Sequence, residues 1–484
     1  MLLILLVYFA VLFIVSRLAT VRTDNDTFFR GNRQSPWWLV AFGMIGASIS
    51  GLTFIGVPGW VMTTDMTYLQ MCIGFIFGYL FVAFVLLPLY YKLNLTSIYS
   101  YLEIRLGKAG YKTGSAFFIL SKLVSGAAKF YIVIRVLQTC VADKYGVPYA
   151  ATAALTLLFI WFYTHRSGIK SLVWTDAVQT LMLLAALVLI VLRVCSMLEM
   201  NPSEALTAVL NDPHSRVFEW EDFVSRQNFW KQFLSGVFVV IVMTGLDQDM
   251  MQKNLTCSSL RQAQLNMCSY GVLFVPVNFL FLSLGILLLM LYGHLGIALP
   301  ASGDDLLTGA IFSGVMGEAA LVFFTVGVVA SALSSADSAL TALTTSFCVD
   351  MLDMEKDKRL QIDVVVRKER IRNYVHLGMM CVFFLLTLLF NAISGSSVMD
   401  LIYTLVSYTY GPLLGLFAFG LLTKWAPKGY SVILVCVLSP LVCLALDYLC
   451  LQLWSYKVGY EMLLLNGLLT FVGLWLSPRK PYRF

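Results

Sequence analysis

The sequence predicts an all-α polytopic membrane protein. Three observations carry that prediction. Of its 484 residues, 59% are hydrophobic and only 12% charged, with a mean hydropathy of +0.81; a soluble globular chain is about 45–50% apolar and about 25% charged. The apolar residues form long runs, many of them close to the roughly 20 residues a helix needs to cross a bilayer. The runs lack the period-two alternation of an outer-membrane barrel, and the loops between them alternate in charge. This composition excludes an ordinary soluble enzyme and a disordered chain. The net charge of +6 does not point to nucleic acid, because the basic residues are spread over many short loops.

Hydropathy places spans near 2–16, 37–62, 68–91, 113–141, 148–164, 171–195, 230–251, 265–292, 316–347, 374–391, 398–422, 429–451 and 459–476, about thirteen in all. The first run, Leu2 to Val15, has no basic leader and no small-residue cleavage site, so it reads as a span and not a signal peptide. One set of loops is basic: Arg17, Arg22, Arg30 and Arg33; Lys92, Arg105, Lys108 and Lys112; Arg166 and Lys170; Lys253 and Arg261; Lys356 to Arg372; Lys424 and Lys428; Arg479, Lys480 and Arg483. The opposite set is acidic, with Glu199, Glu204, Asp212, Glu219, Glu221 and Asp222 in one loop and Asp304, Asp305 and Glu318 in another. Basic loops mark the cytoplasmic side. The expected orientation therefore has the N-terminus outside and the C-terminus in the cytoplasm. The outer loop 198–229 contains Asn201-Pro202 and Asp212-Pro213 and reads as a short helix plus turn, while 351–372 reads as a solvated helical connector. The ten cysteines contain no CxxC pair and read as buried small hydrophobes.

Ionisable groups at bilayer depth are costly and mark function by default. Five stand out: Lys129, Arg135, Asp176, Asp247 and Asp337. Lys122 lies nearer the inner end of its helix, where it can snorkel. Asp249 reads as a solvated carboxylate at the inner surface. Lys129 sits near the midplane, with Arg135 about 9 Å further out at 1.5 Å per residue. Lys129 either pairs structurally, with Asp247 as a partner, or holds an anionic group of a substrate.

Two segments look built for a cation. From Gly46 to Gly59 the span 37–62 carries four glycines and Pro58. Such a run weakens the hydrogen-bond ladder, and carbonyls freed in a membrane must be satisfied, for example by lining a cavity. Small residues also suit a close helix crossing, but Ser48, Ser50 and Thr53 favour a polar-lined break. In the span 316–347, Ser331, Ser334 and Ser338 fall at helical spacing with Asp337 and Thr341 flanking. Hydroxyls and a carboxylate are hard ligands for a hard cation. Serines bonding back to their own helix would explain the hydroxyls but not the aspartate.

These residues together resemble the sodium/solute symporter family, which includes sodium-coupled carriers of sugars, sialic acid, proline and pantothenate. The segments that carry the resemblance are Ser50 to Gly59, Ser97 to Glu103, Gly168 to Gln179, Gly245 to Thr256 and Ala330 to Ser338. The resemblance implies a LeuT-like core of five helices repeated in inverted orientation, with the first and sixth core helices broken. It divides the chain into an extra N-terminal helix and loop (1–35), a first repeat (36–197), an outer linker (198–229), a second repeat (230–425) and two C-terminal helices with a tail (426–484). It implies sodium at the carbonyls of Gly46, Ile49 and Ser331 and the hydroxyls of Ser334 and Ser335. A second cation site would use Asp176, Ser334, Asp337 and Ser338, although a relative with that site has serine at the position of Asp337. Substrate positions map to Ser48, Ser50, Thr53, Tyr68, Gln70, Lys129, Asp247, Gln248 and Thr404.

The implied activity is sodium-coupled symport, by alternating access, of a small polar solute such as a sugar or sugar acid, in a bacterial inner membrane. Na+ is the implied ion, and solute and lipid bilayer are the implied partners, with no nucleic acid and no obligate protein partner. The alternative is a membrane-embedded solute sensor. An enzyme is disfavoured, since neither HExxH nor G-x-S-x-G occurs.

Overall fold

The computed structural model describes residues 1–19, 24–165, 168–356, 362–393, 398–454, 456, 458–459 and 461–481, without the side chains of 52, 362, 398–406, 454 and 479. Arg22, Arg166 and Arg483 lie outside the described residues, and so does the side chain of Thr404.

Helices dominate because unpaired backbone groups are intolerable in lipid. In chain order those that frame the site and its surroundings are α1 (Leu2–Ala19), α2 (Trp37–Ser48), α3 (Gly51–Gly59), α4 (Tyr68–Phe81, running on to Lys92), α5 (Ser100–Cys140), α6 (Tyr149–Thr164), α7 (Ile169–Met197), α8 (Phe229–Val240), α9 (Gln248–Asn254), α10 (Leu260–Leu295), α11 (Gly317–Ser346), α12 (Ile362–Ala392), α13 (Val398–Leu422), α14 (Gly429–Trp454) and α15 (Glu461–Leu476). Among the described residues, eight helices are long and apolar enough to cross a bilayer, or ten if each of two bent pairs is one span. Three shorter apolar helices, Tyr149–Thr164, Ser407–Leu422 and Glu461–Leu476, fall where spans were also expected. The segment 198–229 contains the expected short helix, Pro202–Asn211, whose first turn is closed by a reciprocal Asn201–Glu204 capping box.

Both bends coincide with the expected breaks. The first pair turns by 67°, and the residues between α2 and α3 are extended, Ile49 at φ −79°, ψ 95° and Ser50 at φ −79°, ψ 165°. The second pair, Phe229–Gly245 and α9, turns by 71°. Asp247 caps α9, its carboxylate accepting from the Asp249 N–H at 2.8 Å.

Packing positions the breaks. Helix α7 lies against α2 and α11; α5 lies against α11, α12 and α13; α4 lies against α8. Gly46 is needed for the first of these seams, because a Cβ there would sit 2.1 Å from Thr180 Oγ1. Gly59 meets Gly303 backbone to backbone, a Cβ on Gly59 falling 1.8 Å from the Gly303 carbonyl oxygen. Among the described residues, the helices are joined by a two-stranded antiparallel pair, β1 (Trp425–Pro427) and β2 (Arg479–Pro481). The connector departs from expectation: α12 begins at Ile362, and Arg372 is buried over the Phe28 ring, with Nη1 2.9 Å from Asn25.

Candidate ion and solute site

At the first break, helix α11 presents hydroxyls to carbonyls that α2 has released. Ser331 Oγ donates to the Ile49 carbonyl at 2.6 Å, and Ser335 Oγ donates to the Ala47 carbonyl at 3.3 Å. The Gly46 N–H donates to Thr180 Oγ1 at 3.2 Å, which ties the end of α2 to α7. Carbonyl and hydroxyl oxygens therefore converge from two helices, the donor set that suits a small hard cation. Ser331 takes part through its hydroxyl, where a carbonyl was expected.

Ser334 does not join this group. Its hydroxyl donates to Asp176 Oδ1 on α7 at 2.6 Å, and Ser338 Oγ lies 3.5 Å from Asp176 Oδ2. Asp337 turns a third way, its Oδ2 accepting from Tyr163 on α6 at 2.5 Å. One stretch of α11 thus serves three neighbours. Sequence spacing found the serines but could not assign them, because a helix rotation of a third of a turn changes the partner. Thr341 is buried, and its hydroxyl has no hydrogen-bond partner among the described residues.

Two basic residues were misread. Lys253 counted as a loop cation, yet it is buried and its Nζ is 2.8 Å from Asp176 Oδ2. Lys122 is no snorkelling residue; it pairs with Asp247 at 3.1 Å and Asp249 at 2.7 Å. Asp249 is accordingly buried and not a solvated surface carboxylate. The physical reason is common to all three: the half-helix α9 is buried over its whole length, Gln248 to Asn254, so its charges must find partners within the protein. Tyr163 and Lys253 carried no local sequence signal as site residues, and only the pairing of distant helices reveals them.

The second break is held by aromatic hydroxyls. Tyr90 donates to the Gly245 carbonyl and Tyr99 to the Leu246 carbonyl, each at 2.9 Å, and Tyr410 donates to Asp247 Oδ2 at 2.7 Å.

Between the two breaks lies a cavity of about 180 Å³, lined among others by Ser48, Thr53, Tyr68, Lys129, Asp247 and Ser335. Ala47 also faces it, so the carbonyl–hydroxyl group of the first break forms part of its wall. Ser48 is hydrogen-bonded to Tyr270. Among the described residues, Lys129 has no ion-pair partner; Asp247 is taken by Lys122. Arg135 is exposed, at the end of α5 remote from this pocket. Three expected solute residues are absent from the lining. Ser50 is buried in the break itself. Gln70 binds the segment 198–229, accepting from the Glu219 N–H at 3.0 Å and donating to the Gln227 carbonyl at 2.8 Å. Gln248 clasps the turn before α5, accepting from the Ile98 N–H and donating to the Thr96 carbonyl, both at 2.9 Å.

The chain is similar to several known transporters. The chain is 26% identical to the Homo sapiens sodium/iodide cotransporter over 408 residues, covering 82% of this chain and 61% of that protein. It is 24% identical to the sodium/sialic acid symporter of Proteus mirabilis over 436 residues, 87% and 84% of the two chains. It is 26% identical to the Homo sapiens sodium-coupled monocarboxylate transporter 1 over 252 residues, 51% and 40%. The match thus spans less than two thirds of the length of the two human relatives. Among solved structures, a substrate-bound outward-open Na+-coupled sialic acid symporter superposes with a TM-score of 0.81 at 20% identity, covering 99% of this chain and 98% of the other. A nucleobase-cation-symport-1 family transporter in a closed conformation superposes with a TM-score of 0.55 at 14% identity, covering 94% of each. These superpositions show the LeuT-like fold. The sequence profile of the sodium:solute symporter family matches residues 28–428, and the chain belongs to that family of multi-pass membrane transporters.

Proposed function

We propose that the chain is a sodium-coupled secondary active symporter that imports a small organic anion by alternating access. Sodium occupies the seam between the first break and α11, at the Ala47 and Ile49 carbonyls and the Ser331 and Ser335 hydroxyls. The solute occupies the adjoining cavity, with Lys129 as its anion-binding group. The observation that carries this reading is the shared wall: Ala47 and Ser335 belong to both the oxygen cluster and the cavity.

The charges fit as well. Lys122 and Lys129 balance Asp247 and Asp249 around the cavity, so an anionic solute and a sodium ion enter together without building net charge. Sodium that orders the first break favours the solute-competent state, and coupling is that difference in affinity between states. The potential acts on net charge moved, so one sodium entering with a monoanion is driven by the sodium concentration gradient. The relatives named above are cotransporters, which favours transport over the sensor reading. Sodium-coupled carriage of sialic acid and monocarboxylates by relatives favours a carboxylate over a neutral sugar. The orientation read from the basic loops, thirteen spans, the two five-helix repeats at 36–197 and 230–425 and residence in a bacterial inner membrane belong to the same proposal.

The test is uptake by proteoliposomes of a panel of radiolabelled monocarboxylates, sugar acids and neutral sugars, with an inward sodium or potassium gradient. Sodium-dependent uptake of an acid that is lost in Lys129→Met, with that variant's thermal stability retained, supports the reading. Uptake of neutral sugars alone, or uptake indifferent to Lys129→Met, would remove the anion site.

A further inference from the structure

Beside the proposed sodium seam lies a second acidic cluster, and it already contains a cation of its own. Asp176 and Asp337 lie with Ser334 and Ser338 where α7 meets α11, and all four are at most 2% exposed. Two carboxylates and two hydroxyls form a donor set for a second hard cation. Yet Lys253 Nζ sits 2.8 Å from Asp176 Oδ2, and that side chain is only 2% exposed. Asp176 Oδ1 is satisfied by Ser334 at 2.6 Å, and Asp337 is held by Tyr163 at 2.5 Å.

We propose that the Lys253 ammonium is a tethered replacement for a second sodium ion, so that the protein binds one sodium per chain. This ion count rests on the symporter reading above. A metal ion at Asp176 would have to share one carboxylate with a buried ammonium, and like charges at that separation repel strongly in a poorly solvated site. The ammonium satisfies the carboxylate at no cost in ion uptake. It cannot dissociate, because it is carried by α9, the inner half of the broken sixth core helix. It therefore contributes attraction between α9 and the α7–α11 seam in every cycle without moving a charge across the membrane. Asp176 and Lys253 are 77 positions apart in the sequence, and both are buried on facing elements, so the pair is a product of the fold and not of local spacing.

The experiment counts sodium sites on the purified full-length protein by equilibrium binding of radioactive sodium, with no solute needed. Wild type is expected to bind one sodium per chain, and Lys253→Arg one. Lys253→Met, which frees Asp176 and keeps the stem, is expected to bind two, and Lys253→Met with Asp176→Asn to return to one. Two sodium ions in wild type would overturn the proposal, and so would a single ion in a folded Lys253→Met. If Lys253→Met does not fold, Lys253→Gln is counted in its place, and the wild-type number stands by itself as a test. Absence of any sodium binding in wild type would instead overturn the symporter reading on which this one rests.

Discussion

The two broken helices solve one physical problem with different chemistry. Each releases backbone carbonyls in a place without bulk water. At the first break those carbonyls meet serine hydroxyls, Ser331 on Ile49 and Ser335 on Ala47. At the second they meet phenols, Tyr90 on Gly245 and Tyr99 on Leu246, with Lys122 bridging Asp247 and Asp249 beside them. A serine hydroxyl turns about one bond and both donates and accepts, so it can give up a carbonyl and face a cation. A phenol is fixed by its ring, and Tyr90 and Tyr99 are fully buried. The first break is thus suited to switch with an ion, while the second is a braced joint.

The sharpest way to break this contrast is Lys122→Met. It leaves two carboxylates buried without their cation, and removing one partner of a buried pair costs about 3–5 kcal/mol. A large fall in the thermal unfolding midpoint is expected, with the sodium-induced rise in that midpoint retained. A variant as stable as wild type would mean that the second break is not charge-braced. The counterpart at the first break is Ser331→Ala with Ser335→Ala. Loss of two ligands is expected to weaken sodium binding about a hundredfold, roughly 2.7 kcal/mol, with little change in the sodium-free midpoint. Sodium titration of stability measures it, and an unaltered affinity would remove the ion from this seam.

Tyr99→Phe sharpens the comparison. It strands the Leu246 carbonyl and should cost about 1–3 kcal/mol without touching sodium affinity; a fall in that affinity would make the second break an ion site as well. The smallest effect is expected away from both breaks. Asp353 pairs with Lys112 at 3.0 Å and Lys356 at 3.1 Å near the ends of α5 and α11, all three partly exposed. Burial works to raise its carboxyl, but the two lysines outweigh it and hold it below the usual range. Its stabilisation is therefore present above the unfolded-state value and is lost as pH falls through the lowered one. Asp353→Asn should cost under about 1 kcal/mol at neutral pH and nothing after full protonation, by denaturation across an acid pH series.

Much of this molecule is legible in its residues before any folding is considered. Hydropathy decides which segments enter the bilayer. The glycines and serines of 46–59 locate the first break, and Ser331 to Ser338 mark the helix that faces it. Those features are local, since span length, backbone freedom and residue spacing depend only on neighbours in sequence.

Partner choice is another matter. The sequence allowed Lys129 to pair with Asp247, but the structure gives Asp247 to Lys122, seven residues and two turns away on the same helix. It placed Lys253 in a loop, because a charge at the end of an apolar run ordinarily meets water. It assigned Gln70 and Gln248 to solute, while their amides clasp loops. Local composition and spacing determined the first break and the hydroxyls that face it, and the family resemblance implied the second. Only tertiary packing decided which charge each carboxylate received, because the rotation and depth of one helix are set by the helices pressed against it.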